Sequence, residues 1–296
     1  MTDPFPQQRI ALATGVALDV VVAGNPAAPA IILLHGFPES HRTWRHQIPE
    51  LAKTHFVIAP DQRGFARSDK PEGVEQYKAD KTIGDMLALA DHFGKDRFTL
   101  VGHDWGGAIA WAAALNHPDR VERLIILNAP HPLIFQRTLF DDPDQRAASQ
   151  YITAFRDPSL ETYIERVGVE AYFGKTFVGH ADPAVMAVEK PIFLDQWTQP
   201  GALTGMFNWY RASGLIVPAI GEDPPRPAYL DAPFPPLRMP VLVIWGLRDT
   251  ALRPSQLVGL EPLVPDLTLV KIAEAGHFVT WEAPLEVNAA IRAFLP

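Results

Sequence analysis

The chain has 296 residues, of which 47% are hydrophobic and 20% are charged. This composition supplies enough apolar surface for a sizeable core and excludes intrinsic disorder for most of the length. The formal net charge is −8 and no cluster of lysine and arginine interrupts it, so we expect no nucleic-acid partner. The absence of cysteine excludes disulfides, thiolate metal sites and a thiol nucleophile.

The N-terminal segment has no cationic start followed by an apolar run, which a secretion signal would require. Apolar runs elsewhere, such as residues 31–34, are far too short to cross a bilayer. We therefore expect a cytoplasmic protein without a membrane partner.

Short apolar runs alternate with helical patterns along much of the chain. The runs contain almost no polar residues, which is typical of parallel strands buried on both faces. This alternation predicts an α/β fold with a doubly wound, mostly parallel sheet. The predicted strands are 30–34, 56–59, 98–101, 124–127, 240–245 and 267–272, and the predicted helices that accompany them are 81–93, 108–115 and 284–295.

The pattern changes between the fourth and fifth of these strands. Residues 131–238 contain helix-like stretches rich in aromatic residues and no clear strand. The prolines at 224–236 predict that this segment ends in a stiff, extended linker. We therefore predict a core domain formed by residues 1–130 and 239–296, into which residues 131–238 insert a helical cap, or lid, domain.

The strongest chemical signal lies where a predicted strand runs into a helix. Residues 102–107 read Gly-His-Asp-Trp-Gly-Gly, which matches the nucleophile-elbow pattern G-x-S-x-G with an aspartate in the serine position. The glycines let strand and helix pass closely, while the central Asp104 takes a strained backbone and exposes its side chain above the sheet. The positive end of the helix favours an ionised carboxylate there. An isolated G-x-D-x-G is more often an ordinary helix cap, so a catalytic interpretation requires partners.

Two later residues appear in the order that a nucleophile–acid–histidine triad needs. Asp249 follows one predicted strand, and His277 lies in a short loop after the last predicted strand. Alone, each would be interpreted as a turn or surface residue. Together with Asp104, they favour a catalytic triad.

An earlier loop, His-Gly-Phe-Pro at 35–38, directly follows the first predicted strand. Such a loop can turn a backbone N–H into the site, and its proline can adopt the cis form that fixes the turn. We predict that the N–H groups of Phe37 and Trp105 form an oxyanion hole.

These motifs, with Asp-Gln-Arg-Gly-Phe-Ala-Arg-Ser-Asp at 61–69, resemble the α/β-hydrolase superfamily over essentially the whole chain, and within it the epoxide hydrolases. The resemblance implies an α/β-hydrolase fold and an aspartate nucleophile. We interpret residues 61–69 as a structural brace behind the oxyanion turn, and His103 as a residue that holds the elbow. Haloalkane dehalogenases share the His-Asp-Trp-Gly elbow, which therefore does not separate the two activities.

The leaving group offers a way to distinguish them. An epoxide opens to an alkoxide that needs a proton donor, whereas a halide needs none, and a phenol can supply that proton. Epoxide hydrolases typically carry two such tyrosines on the cap. Asn-Trp-Tyr-Arg at 208–211 resembles the context of the second, and Tyr151, four residues before Phe155, resembles the first. Tyr210 and Tyr151 are thus the expected catalytic phenols; Tyr163, Tyr172 and Tyr229 remain replacements for which packing is the better prediction.

The resemblance to dehalogenases is weaker around the elbow. Many haloalkane dehalogenases have an asparagine where Phe37 stands, and fluoroacetate dehalogenases usually have an arginine where Trp105 stands. Phe37 and Trp105 are instead predicted to form apolar walls that, with Phe155, bind a hydrophobic substrate.

The expected activity is hydrolysis of an apolar epoxide to a vicinal diol through a covalent ester on Asp104, with water activated by His277 and Asp249. A haloalkane or haloacid dehalogenase that uses the same aspartate is the alternative, and a non-catalytic ligand receptor on this fold is a further one. The sequence contains no metal or dinucleotide motif, so we expect no cofactor and no metal. The expected partners are the small-molecule epoxide and water, with the protein as a monomer or homodimer.

Overall fold

A sheet of eight strands lies at the centre of the molecule, for which a computed structural model describes residues 5–177 and 183–296. The strands are β1 (Gln7–Ala11), β2 (Ala17–Ala23), β3 (Ala30–Leu34), β4 (Phe56–Pro60), β5 (Phe98–His103), β6 (Val121–Leu127), β7 (Val241–Gly246) and β8 (Leu267–Ile272). Their order across the sheet is β1-β2-β4-β3-β5-β6-β7-β8. Neighbouring strands from β4 to β8 are parallel, whereas β2 is antiparallel to both of its neighbours. The mostly parallel sheet predicted from the sequence is confirmed.

Helices account for most of the remaining regular structure. The α-helices of the described ranges are α1 (Ile48–Leu51), α2 (Ala79–His92), α3 (Trp105–Asn116), α4 (Pro132–Asp141), α5 (Pro143–Ala148), α6 (Gln150–Arg156), α7 (Leu160–Val167), α8 (Val169–Phe177), α9 (Pro183–Trp197), α10 (Ala202–Ala212), α11 (Val279–Glu282) and α12 (Pro284–Phe294). Short 3₁₀ helices occur at His41–Trp44, Val74–Tyr77, Ala228–Asp231 and Pro254–Leu257. Within the described ranges, no helix combines the length and apolar character needed to cross a membrane.

Strands β1 and β2 were absent from the sequence prediction. β1 is an edge strand with four of its five residues exposed, and its sequence, Gln-Gln-Arg-Ile-Ala, contains no apolar run. β2 alternates buried with partly buried residues, which weakens the apolar signal on which the prediction depended. All six predicted strands are present, including β8, an edge strand whose sequence nevertheless contains an apolar run.

The parallel strands bury side chains on both faces of the sheet. In β3, Ile32 and Leu34 belong to one apolar core, whereas Ile31 and Leu33 belong to the other. Helices α2 and α3 contribute to the first core, and α1, α11 and α12 contribute to the second. Two-faced burial explains why these strands read as continuous apolar runs in the sequence.

Helices α4–α10 all occur between β6 and β7 in the chain, and the described part of this stretch contains no strand. Buried polar contacts attach these helices to the sheet side. The indole N–H of Trp197 on α9 donates to the carbonyl of Pro38 at 2.8 Å, and that of Trp209 on α10 donates to the carbonyl of Arg63 at 3.0 Å. Arg42 also forms a buried ion pair with Glu189 of α9.

Glycines allow β5 to turn abruptly into α3. A Cβ atom built on Gly102 would overlap the carbonyl of Gly106 and lie 2.6 Å from the Cα of Gly107. Asp104, between strand and helix, has φ 50° and ψ −121°, a conformation that L residues rarely adopt. The turn thus requires a bare backbone at position 102 and lifts the Asp104 side chain away from the sheet.

We expect Gly102→Ala to lower the free energy of unfolding, because the added methyl group meets backbone atoms that cannot move independently; overpacking costs about 1–3 kcal/mol or more. Gly84→Ala is a matched control within α2, since its Cβ would lie 3.6 Å from the nearest atom, a methyl of Thr14. There the helix propensity of alanine should raise stability by roughly 1 kcal/mol. Urea unfolding of both variants tests the prediction, which equal effects in the same direction would contradict.

Candidate active site

Four loops bring polar groups together above the carboxyl ends of the parallel strands. Phe37 follows β3, Asp104 follows β5, Asp249 follows β7 and His277 follows β8. In open α/β sheets this edge is the usual position of ligand sites. Residues far apart in the sequence therefore meet in one place because of the strand order.

The carboxylate of Asp104 lies beside the His-Gly-Phe-Pro loop. The backbone N–H of Phe37 donates to Oδ1 of Asp104 at 2.7 Å, and the Phe37–Pro38 peptide bond is cis. Trp105 is the first residue of α3, immediately after the aspartate. The N–H groups assigned from the sequence to an oxyanion hole thus come from a loop and a helix start that flank the same carboxylate.

The imidazole of His277 lies between two carboxylates. Its Nδ1 donates to Oδ2 of Asp249 at 2.8 Å, and its Nε2 lies 3.6 Å from Oδ2 of Asp104. Burial alone would lower the pKa of His277, but the negative charges of Asp249 and Asp104 outweigh it and raise the pKa to about 9. The structure thus brings the three predicted triad residues together.

Asp249 is itself fixed from several directions. The backbone N–H groups of Ala251 and Leu252 donate to Oδ1 at 2.9 and 2.8 Å, and the amide of Asn128 donates to Oδ2 at 2.8 Å. Burial works to raise the pKa of Asp249, yet the charge of His277 and these hydrogen bonds keep it below its usual range. The carboxylate therefore stays ionised and oriented towards the histidine.

The sequence analysis missed Asn128. This residue directly follows β6 and has φ 38°. Its side-chain oxygen accepts from the N–H of Gly246 at 2.8 Å, and its amide donates to Asp249. A polar residue at the carboxyl end of a strand beside β7 was the available signal, since Asn tolerates positive φ better than most residues.

His103, which the sequence predicts to hold the elbow, also contacts the loop of His277. Its Nε2 donates to the backbone carbonyl of His277 at 2.8 Å, and its Nδ1 lies 3.4 Å from Oε2 of the buried Glu39. The ring, on the last residue of β5, therefore holds the loop that contains His277. The brace expected from residues 61–69 is present: Asp61 accepts from the N–H of His41 at 2.8 Å, and Gln62 donates to the carbonyl of His35 at 2.6 Å.

The two predicted phenols approach Asp104 from the helices inserted between β6 and β7. Tyr151 lies on α6 and Tyr210 on α10, and their ring centroids are 6.1 Å apart. Burial raises the pKa of both phenols well above 10, and the charge of Asp104 adds to the rise, while a hydrogen bond with Trp105 partly offsets it for Tyr210. Both hydroxyl groups therefore remain protonated and able to donate.

The other three tyrosines named in the sequence analysis lie in different environments. Tyr172 is buried and lines the site, where packing alone was the sequence expectation. Tyr163 hydrogen-bonds Lys175 near the surface, and Tyr229 is more than half exposed.

His131 caps α4 between the rings of Trp111 and Phe234, in accord with a structural role.

Two cavities adjoin Asp104, and we name them by the helix that each lies beside. The α8 cavity has a volume of about 300 Å³ and is lined by Phe37, Phe155 and His277 among others. The α3 cavity has a volume of about 220 Å³ and is lined by Trp105 and other apolar residues. Asp104, Tyr151 and Tyr210 line both. In the part of the chain that the structure describes, no group of three or more potential ligands could hold a metal ion.

Comparison with known proteins agrees with this architecture. Residues 29–164 match the family model described as the alpha/beta hydrolase fold. The AB hydrolase superfamily protein YfhM of Bacillus subtilis is 36% identical over 95% of each chain, and Epoxide hydrolase A of Mycobacterium tuberculosis is 31% identical over 98% of this chain and 97% of its own. A solved structure titled as novel epoxide hydrolases from metagenomes of hot environments is 49% identical, with a TM-score of 0.93 over 100% of this chain and 99% of that one.

The fold and the strand-end site define an α/β hydrolase. The extent of these similarities shows that the chain belongs to the epoxide hydrolase family of that superfamily.

The shifted pKa of His277 gives the free energy of unfolding a defined pH dependence. A pKa raised from 6.5 to about 9 in the folded state contributes stability that is complete below pH 6.5 and is lost as pH rises towards 9. We expect wild type to lose on the order of 3 kcal/mol more than His277→Gln across this interval. Urea unfolding of both proteins at pH 6 and pH 9.5 measures the difference; parallel losses would contradict the assignment.

Proposed function

We propose that this protein hydrolyses apolar epoxides to vicinal diols, with residues 131–238 as the cap that carries two catalytic phenols. The observation that carries the proposal is the placement of Tyr151 and Tyr210 on the same cavity walls as Asp104. An aspartate that attacks carbon and phenols that donate to oxygen are the two groups that opening of an epoxide requires.

In the first step, a carboxylate oxygen of Asp104 attacks one epoxide carbon and the C–O bond on that carbon breaks. The phenols hold the epoxide oxygen and give it a proton, so that a hydroxyalkyl ester of Asp104 forms. The raised pKa of each phenol keeps the proton in place until negative charge develops on the oxygen. Phe37, Trp105 and Phe155 supply apolar walls for the substrate.

Ester formation also prepares His277 for the second step. The charge of Asp104 is one of three carboxylate charges, with those of Asp249 and Glu39, that raise the pKa of the imidazole, and the ester carries no charge. The pKa of His277 should therefore fall once the ester has formed, because one source of the rise is gone. The imidazole can then release its proton, which the phenolate left by the first step takes up, and accept a proton from water.

In the second step, His277 removes a proton from a water molecule that attacks the carbonyl carbon of the ester. The N–H groups of Phe37 and Trp105 stabilise the tetrahedral oxyanion. Collapse of this intermediate breaks the ester bond, and the imidazolium protonates the departing diol oxygen. The neutral imidazole then takes the carboxyl proton that the water oxygen leaves on Asp104, which restores the carboxylate. Asp249, held by Asn128 and two backbone N–H groups, orients the imidazole and stabilises its charged form.

Two other functions fit the site less well. A dehalogenase would use the Trp105 indole to bind halide, whereas here Trp105 hydrogen-bonds Tyr210, and no halide needs the protons of two phenols. A non-catalytic receptor would keep the cavities but would have no need of an imidazole bonded to one carboxylate and facing another.

The role of His277 predicts a trapped intermediate. His277→Gln should still form the ester on Asp104 but fail to hydrolyse it, because its amide cannot act as a base. Incubation with styrene oxide should therefore add one substrate mass to the protein, on the peptide that contains Asp104, as measured by mass spectrometry. Asp104→Ala is the control and should remain unmodified. An unmodified His277→Gln protein would contradict the two-step scheme.

The phenols predict a graded loss of the first step. Each hydrogen bond strengthens as charge builds on the epoxide oxygen, and a general-acid contribution is typically about 10²–10⁴-fold. Tyr151→Phe and Tyr210→Phe should each slow ester formation, and the double variant should be nearly inactive while it retains its fold. Tyr229→Phe, at an exposed position, is the matched control. The measurement is the single-turnover rate of ester formation. A rate for the double variant within a few-fold of the wild-type rate would overturn the assignment.

A further inference from the structure

A buried glutamine joins the inserted helices to the loop that follows Asp249. Gln145 lies on α5 and its side chain is fully buried. Its amide nitrogen donates to the carbonyl of Ala251 at 2.8 Å, and its amide oxygen accepts from the N–H of Arg253 at 2.9 Å. A single side chain thus holds the backbone on both sides of residue 252.

The remaining hydrogen-bonding capacity of this amide is also used. The nitrogen donates to the hydroxyl of Ser149 at 2.9 Å, and the oxygen accepts from the side-chain amide of Gln256 at 3.2 Å. A carboxamide has two N–H donors and an oxygen that accepts two hydrogen bonds, so all four positions are filled. The amide has one orientation, because exchanging its oxygen and nitrogen would place a donor against the N–H of Arg253.

The same loop fixes Asp249. Residues 250–253 form neither helix nor strand, so their backbone groups need partners outside regular secondary structure. The carbonyl of Ala251 faces the glutamine, whereas its N–H, with that of Leu252, donates to Oδ1 of Asp249. The other oxygen of Asp249 accepts from Nδ1 of His277. Hydrogen bonds therefore connect α5, through the loop and the carboxylate, to the imidazole.

The second step of the reaction depends on how this carboxylate is held. Asp249 orients the imidazole of His277 and stabilises the imidazolium that forms when water gives up its proton. Asn128 also donates to Asp249, but to Oδ2, the oxygen that accepts from His277. The tilt of the carboxylate is therefore set at Oδ1, by the N–H groups of the loop. A loop that moved would carry these N–H groups away from Asp249.

We propose that Gln145 is a positioning residue for hydrolysis of the ester: from the inserted helices it fixes residues 251–253, and these hold Asp249 in line with His277. This inference rests on the proposed two-step mechanism and adds a residue to its second step. Gln145 is not among the described residues that line either cavity, so it acts through the loop rather than on the substrate.

The test replaces the amide with an apolar side chain of similar length. In Gln145→Met the loop loses both backbone contacts, and a misplacement of about 1 Å in a supporting group can cost roughly 10²-fold in rate. We expect ester hydrolysis to slow at least about tenfold, whereas ester formation, which uses Asp104 and the phenols, changes by no more than about threefold. Rapid quenching of the reaction with styrene oxide, followed by mass spectrometry, measures both rates.

Gln136→Met is the matched control. Gln136 is buried on α4 and binds a backbone segment in the same manner, since it donates to the carbonyl of Ile216 at 2.8 Å and accepts from the N–H of that residue at 2.9 Å. This contact fixes the segment that follows α10 rather than the loop of Asp249. Both substitutions should lower the urea midpoint of unfolding, but only Gln145→Met should slow ester hydrolysis.

Ser149→Ala separates the loop from the start of α6. It removes one contact of Gln145 and leaves those with Ala251 and Arg253 in place. The rate of ester hydrolysis should stay within about threefold of the wild-type rate. A loss as large as in Gln145→Met would show that α6 carries the effect, and would overturn the role of the loop.

A spectroscopic measurement tests the contact without substrate. The proton between Nδ1 of His277 and Asp249 resonates downfield of the backbone amides, and its resonance moves upfield as the hydrogen bond lengthens. Gln145→Met should move this resonance upfield in NMR spectra of the resting protein, whereas Gln136→Met should leave it in place. If Gln145→Met does not fold, Gln256→Met, which removes one donor to the oxygen of Gln145, should show a smaller shift in the same direction.

The outcomes separate this inference from the proposed function. Equal losses in both steps, a resonance that stays in place, or unchanged ester hydrolysis in folded Gln145→Met would each overturn the positioning role and leave epoxide hydrolysis standing. Absence of wild-type activity on styrene oxide and other epoxides would overturn the proposed function, and the resonance would still report whether Gln145 holds Asp249.

Discussion

The position of one carboxylate, that of Asp104, is the constraint on which the rest of the site depends. Its residue adopts a positive φ between β5 and α3, and this conformation is possible because glycines at 102 and 106 let strand and helix pass closely. The N–H of Phe37 meets one carboxylate oxygen, and the imidazole of His277 faces the other. A side chain held in this way is exposed to substrate while its charge stays compensated.

The negative charge of Asp104 must be compensated, and this requirement determines which groups surround it. Asp104 and Asp249 flank one imidazole, so the site contains two negative charges that stabilise a single positive one. Hydrogen bonds from Asn128, Ala251 and Leu252 keep the buried Asp249 ionised, which fixes the tautomer of His277 with its proton on Nδ1. Burial, with the charge of Asp104 adding to it, raises the pKa of both phenols of the inserted helices and keeps them protonated. Asp104, His277 and the two phenols are thus electrostatically coupled.

Hydrogen bonds attach the inserted helices to the sheet side close to Asp104. Trp197 donates to the carbonyl of Pro38, which follows Phe37, the residue whose N–H donates to Asp104. Trp209, which precedes Tyr210 in the sequence, donates to the carbonyl of Arg63. These contacts fix the distance between the phenols and the aspartate. Two cavities adjoin Asp104 beneath these helices, and Tyr151 and Tyr210 line both.

The sequence by itself determined the parallel strands, the elbow and the candidate residues Asp104, Asp249 and His277, because buried strands and strained turns require particular residue types at short range. It did not reveal β1, an edge strand with one buried residue, or β2, in which partly buried residues interrupt the apolar pattern. Asn128, the contact of His103 with the carbonyl of His277 and the lining role of Tyr172 also appeared only in the fold. The physical reason is distance along the chain: such contacts join segments whose separation in space is set by strand order and helix packing, which no local pattern records. The two cavities were likewise not predictable from the sequence, because the shape of a cavity depends on all the residues that line it together.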